Sequence, residues 1–126
     1  MRYIWYRVRK RVLVFEQDRD ILEVVSYVLI EEGYDVAGFS SEKEVLENLG
    51  KEDPDLILLD VQHITPEGTA LCEKIRKDQQ FGHIPIVVLS THMKASKVKE
   101  VCADDVVGKP FDIDMLLEVI GAHIDA

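Results

Sequence analysis

The sequence predicts an α/β domain: a doubly wound, five-stranded parallel sheet with helices on both faces. Three observations carry this expectation. Residues 12–15 (Val-Leu-Val-Phe), 56–59 (Leu-Ile-Leu-Leu) and 86–89 (Ile-Val-Val-Leu) are unbroken apolar runs rather than alternating ones, and a strand covered on both faces reads that way. Between these runs apolar residues recur at helical spacing, and strands that alternate with helices imply parallel pairing through right-handed crossovers. Each run also stops at a polar residue fit for chemistry: Glu16, Asp60 or Ser90.

Taken in order, residues 1–11 mix aromatic with basic residues and read as an irregular leader ahead of the domain. They lack the apolar centre and cleavage site of a signal peptide. The first strand, 12–15, runs out into Glu16, Gln17 and Asp18. From Asp20 the period changes, with Ile21, Val24, Val25, Val28 and Leu29 on one helical face and Gly33 suited to the left-handed position that closes it. Residues 34–39 form the second strand. Ser40 or Ser41 caps a helix carrying Val45, Leu46 and Leu49, which Gly50 ends.

After the Asp53-Pro54 turn comes the central strand, 56–59, which ends on Asp60. Residues 61–68 form a loop, and 69–77 a helix through Leu71, Cys72 and Ile75. Pro85 opens the fourth strand, ending at Ser90 and Thr91. A weak helical signal covers 95–102, from Val98, Val101 and Cys102. Residues 105–108 form a short fifth strand before Lys109 and Pro110. Asp112 caps the last helix, whose stripe is Ile113, Leu116, Leu117, Ile120 and Ile124.

With 126 residues, 47% hydrophobic and 31% charged, the chain fits one globular domain, and no apolar run approaches bilayer length. Its net charge of −9 is uneven: Arg2, Arg7, Arg9, Lys10 and Arg11 give the first eleven residues +5, leaving −14 for the remainder. So acidic a body argues against a nucleic-acid partner, since a phosphate backbone needs a basic footprint. No membrane partner is expected. Cys72 and Cys102, far apart and without metal-ligand spacing, read as small buried apolar residues in a reducing, cytoplasmic compartment rather than as a disulfide.

In open parallel sheets chemistry gathers beyond the carboxyl ends of the strands. There the sequence places Glu16 and Gln17, Asp60, Ser90 and Thr91, and Lys109. Two carboxylates, an amide, a hydroxyl and a lysine suit a hard divalent cation and a phosphoryl group.

Five segments at these strand ends resemble the receiver domain of two-component response regulators, over residues 11–124. They are Val-Leu-Val-Phe followed by Glu16; Pro-Asp-Leu-Ile-Leu-Leu-Asp60; Glu67-Gly68; Pro-Ile-Val-Val-Leu-Ser90; and Ala-Asp-Asp-Val-Val-Gly-Lys109-Pro110-Phe111. The resemblance implies the flavodoxin-like strand order 2-1-3-4-5. It also implies that Asp60 accepts a phosphoryl group from a sensor histidine kinase or a histidine phosphotransfer protein, forming an acyl phosphate. Glu16, Gln17, Asp60 and the backbone carbonyl of Gln62 would surround Mg²⁺, Ser90 would bond the phosphoryl oxygens, and Lys109 would pair with them. Pro110 would follow a cis peptide bond.

Three departures stand out. Gln17 occupies the second position of the usual acidic pair, which implies weakened Mg²⁺ binding. Ile64 stands where a proline is usual, and Val106 takes the place of the switch aromatic. His63 and His92 read as solvated loop residues, with a role for His92 in tuning water access as the sharper alternative.

The reading is therefore a signalling domain and not an enzyme. A stand-alone receiver, with no output domain, would signal through contacts with a further protein as a monomer or weak dimer. The alternative is a phosphorylation-independent pseudo-receiver. An aspartyl phosphatase would need a second acid near Asp60, and the next acid after it is Glu67. A nucleotide binder would need a Gly-rich loop where Glu16, Gln17 and Asp18 stand.

Overall fold

A computed structural model of the chain describes residues 9–63, 65–91, 99 and 102–124. Five strands, β1 (Arg11–Phe15), β2 (Asp35–Phe39), β3 (Leu56–Asp60), β4 (Ile86–Ser90) and β5 (Asp105–Gly108), pair in parallel in the order β2-β1-β3-β4-β5. Helices α1 (Arg19–Glu32), α2 (Glu42–Glu52), α3 (Ala70–Lys77) and α4 (Ile113–Ile124) cover the sheet. The expected flavodoxin-like order is the one observed. Most of the weak helical signal at 95–102, as well as residues 1–8, Ile64 and His92, lies outside the described residues.

The strands are buried on both faces, and their successive side chains sort into two apolar layers. Leu13, Phe15, Ile57, Leu59, Ile86 and Val88 pack with α2 and α3. Val12, Val14, Leu56, Leu58, Val87 and Leu89 pack with α1 and α4. This partition explains why the strand sequences do not alternate.

Local chemistry sets the helix ends. Asp18 caps α1, its Oδ1 accepting the N–H groups of Asp20 and Ile21 at 2.9 and 3.2 Å. Gly33 closes that helix at φ 105°. Ser41 caps α2, and Asp112 accepts Met115 N–H at the start of α4. The Lys109–Pro110 peptide bond is cis.

Several sequence expectations are corrected. Gly50 does not end α2; the helix runs to Glu52 because Asp53 takes the left-handed conformation at φ 48°. Val24, Leu46 and Ile113 are exposed rather than in the core, each sitting at the rim of a stripe whose centre is elsewhere. On α1 that centre is Val25 and Leu29, flanked by Leu22.

The largest correction concerns the cysteines: Cys72 and Cys102 form a disulfide, with Cα atoms 5.8 Å apart. They are small and buried as expected, but not independent. Cys72 on α3 and Cys102 on the approach to β5 enter the same apolar layer from elements 30 residues apart.

Candidate functional site

β1 and β3 are neighbours, with Phe15 opposite Leu59. The next residue on each strand, Glu16 and Asp60, therefore emerges at the same edge of the sheet. Both acids are withdrawn from solvent: Glu16 is 0% exposed and Asp60 5%. Lys109 reaches them from the far side, directly after β5, where Ser90 is in register with Gly108 and Lys109 N–H donates to Ser90 O at 2.9 Å. Its Nζ donates to Glu16 Oε1 at 2.5 Å and to Asp60 Oδ1 at 2.9 Å.

One cation thus serves two buried carboxylates. Burial raises the pKa of Glu16 above its ordinary value; the Lys109 hydrogen bond opposes this shift, and nearby Asp60 adds to it. For Lys109, burial works against the charged form, but the bonds from Glu16 and Asp60 prevail and its pKa rises. Glu16 Oε2 also accepts the backbone N–H of Asp18 at 3.1 Å.

The group opens into a cavity of about 360 Å³ lined by Glu16, Asp18, Ile21, Asp60, Gln62, His63, Thr91 and Lys109. Gln62 Nε2 makes a long contact of 3.5 Å with Asp60 Oδ2, so its side chain as well as its backbone lies at the site. Gln17 is exposed and is not among the lining residues; Asp18, one position on, is. Beyond the strand end the two-residue alternation lapses, so sequence parity does not tell which of the two faces inward. Ser90 is 1% exposed at the end of β4, and Thr91 carries that strand's polar lining. Val106, half-buried on β5, packs against the layer that contains the disulfide.

The rim beyond Asp60 is tightly built. Thr65 Oγ1 accepts Gly68 N–H at 3.0 Å, and a Cβ on Gly68 would lie 1.9 Å from the carbonyl oxygen of His63. Sequence reasoning missed Arg76. Its guanidinium donates to Cys102 O at 2.8 Å, to Gly82 O at 2.9 Å and to Asp104 Oδ2. No local motif marks Cys102 and Asp104 as its partners, because they lie 26 and 28 residues away and the fold brings them together.

The profile of the response regulator receiver domain matches residues 12–121. The chain belongs to this family. The receiver fold is a phosphoacceptor signalling module rather than an enzyme. Similar solved receivers include a protein from Chloroflexus aurantiacus J-10-fl described as a response regulator, 26% identical, with TM-score 0.85 over 94% of this chain and 99% of that one. A CheY-like receiver domain protein from Methanospirillum hungatei JF-1 is 28% identical, with TM-score 0.80 over 93% and 94%. The receiver domain of the sensor histidine kinase PA1611 from Pseudomonas aeruginosa PAO1 shares the fold at 19% identity, with TM-score 0.82 over 94% and 100%, and carries a magnesium ion in its active-site cleft.

Receiver domains typically bind Mg²⁺. The donors here meet the minimum for that ion, which takes one or two carboxylates with waters and phosphate. Glu16 and Asp60 supply the two. Asp18 lines the same cavity, but one of its oxygens is spent on capping α1.

Proposed function

We propose that this receiver accepts a phosphoryl group on Asp60 from a sensor histidine kinase or a histidine phosphotransfer protein. It then passes the signal to a further protein through surface contacts, in the cytoplasm. The observation that carries the reading is Asp60 itself: a nearly buried carboxylate at the floor of a cavity, hydrogen-bonded by Lys109. An Asp60 oxygen attacks phosphorus, the P–N bond to the donor histidine breaks, and the imidazole leaves with the bonding pair and takes up a proton. The carboxylate's single charge becomes the two of an acyl phosphate, a net gain of one negative charge at a residue only 5% exposed. Lys109 can follow the phosphoryl group by trading its bond to Glu16 for one to a phosphoryl oxygen, and Ser90 is the hydroxyl proposed to bond another.

Glu16, Asp60 and the carbonyl of Gln62 would hold Mg²⁺; Gln17, exposed and outside the cavity lining, would have to turn inward to add a neutral fourth donor. The ion would supply positive charge against the phosphoryl oxygens. Gln17 brings no charge, which supports weak metal binding. With Val106 in place of a switch aromatic, the response on β5 would be a shift of a small aliphatic side chain. Arg11 opens β1 rather than closing the leader, so residues from 11 onward would form the receiver unit, with 1–10 a leader ahead of it.

A second reading is a phosphorylation-independent interaction module. It is favoured by one specific feature: Lys109 pairs with both carboxylates, so the chain itself supplies a cation to the two acids. Intact mass after incubation with acetyl phosphate and Mg²⁺, with Asp60→Asn as control, separates the two. A phosphoryl adduct on the unaltered chain alone supports the phosphoacceptor; no adduct at high Mg²⁺ and long incubation supports the module.

A further inference from the structure

We propose that Cys72 and Cys102 form a reversible redox site, which sets how firmly the strand that leads to Lys109 is tethered to α3. The proposal rests on the receiver reading for its signalling consequence, but not for the tether.

The tether is visible in the contacts. The disulfide joins α3 to Cys102, three residues before β5 begins. One helical turn beyond Cys72, Arg76 grips the same connection, holding Cys102 O and the carboxylate of Asp104. Asp104 Oδ2 in turn accepts Ile86 N–H at 2.8 Å, at the start of β4. A covalent tie and a polar one therefore converge on residues 102–104. Among the described residues β5 is an edge strand that pairs with β4; Asp105 at its start is held from the α4 side by His123 at 3.0 Å, and from the α3 side the strand is held by this connection. Lys109 follows it directly. The sulfurs also lie in the layer that contains Val61, next to Asp60, and that packs against Val106. Whatever loosens this connection loosens the path between the carboxylates and β5.

The chemistry is thiol–disulfide exchange with a dithiol of the thioredoxin class. A reductant thiolate attacks one sulfur, the Cys72–Cys102 bond breaks as a mixed disulfide forms, and the reductant's second thiol closes its own disulfide. Two electrons and two protons pass to the cysteines. A disulfide oxidant reverses the step. In a reducing compartment such pairs are exchanging elements rather than permanent staples. Cys72 is 1% exposed and Cys102 4%, so attack requires the 102–104 connection to open, and Arg76 is the latch. Once reduced, both residues remain small and apolar and still fill their places. What is lost is the covalent tie.

The test uses the full chain, oxidised in air or treated with dithiothreitol at neutral pH without denaturant. Alkylation and intact mass should give no label on the oxidised protein and two labels on the reduced one. Hydrogen exchange should then accelerate at residues 103–108 by about tenfold more than in β1 and β3. Cys72→Ala/Cys102→Ala should exchange like the reduced protein with or without dithiothreitol, and Arg76→Gln should speed reduction. Should the double variant fail to fold, the reduced unaltered chain gives the same comparison. Free thiols in the oxidised protein, equal acceleration in all three strands, or none at 103–108 would overturn the proposal. None of these readouts involves phosphorylation, so a chain that takes no adduct on Asp60 loses the proposed function and not the tether.

Discussion

Lys109 Nζ and Glu16 Oε1 meet at 2.5 Å although 93 residues separate them. The contact crosses the sheet edge from β5 to β1 over the end of β3, where Asp60 takes the same ammonium at 2.9 Å. Its worth lies less in attraction than in what its removal would leave behind. Two carboxylates would then be buried side by side without a cation.

Replacing that cation therefore has a large expected cost. Lys109→Met should destabilise the fold by about 3–5 kcal/mol, the range for breaking a buried ion pair on one side. Urea unfolding measures it. Lys109→Met with Glu16→Gln should recover part of the loss, since the stranded charge is gone. A loss under about 1 kcal/mol in the single variant would mean that water already serves these acids.

The pH dependence follows from the two raised pKa values. For Glu16 the folded pKa lies above the unfolded value of 4.5, so the folded state binds the proton more tightly. Its ionised form is a cost near neutrality that shrinks as pH falls toward 4.5. The stability of the unaltered protein minus that of Glu16→Gln should therefore grow on acidification. Lys109 behaves in the opposite way: its contribution is complete below 10.5 and is lost as pH climbs through the raised folded value. Denaturant midpoints at a series of pH values check both signs.

The disulfide has a thermodynamic effect as well as the local one proposed above. Its sequence separation is 30, and closing a loop of that size restrains the unfolded chain by about 3–4 kcal/mol. Reduction should lower the melting temperature by roughly 10–15 °C, given the unfolding entropy of a domain this long. Calorimetry with and without dithiothreitol measures it. An unchanged melting temperature would show that the reduced chain is equally restrained.

Asp18 lines the cavity yet caps α1, and substitution separates the two roles. Asp18→Asn keeps a capping oxygen and should leave stability within a few tenths of a kcal/mol, whereas Asp18→Ala should cost about 1 kcal/mol. Isothermal titration with Mg²⁺ should find the Asn variant equal to the parent. Weaker binding there would make Asp18 the acid that compensates for Gln17.

How far the sequence foretold all this depended on how local the cause was. The apolar runs of β1, β3 and β4 announced a sheet covered on both sides, because burial on two faces leaves no room for polar alternation. Strand ends in a parallel sheet share an edge, so Glu16, Asp60 and Lys109 could be grouped without coordinates. Where two signals competed, the reading went astray. Gly50 resembles a helix end, yet Asp53 adopted the left-handed turn. The 3.6-residue period could not choose between Leu22 and Val24 at the margin of α1. Contacts made only by the crossovers left no local trace, and the grip of Arg76 on Cys102 and Asp104 is one. The disulfide is another, since two cysteines on separate elements carry no spacing rule.

Gly68 has a consequence of a different kind. It stands eight residues past Asp60 and takes no part in the chemistry, but the carbonyl of His63 occupies the space where its side chain would begin. His63 is part of the cavity wall. Any branch at position 68 must shove that wall, so a change in a residue with no side chain to donate or accept would be felt at Asp60 as an altered doorway. In a mutational scan, this silent position should behave as though it belonged to the site.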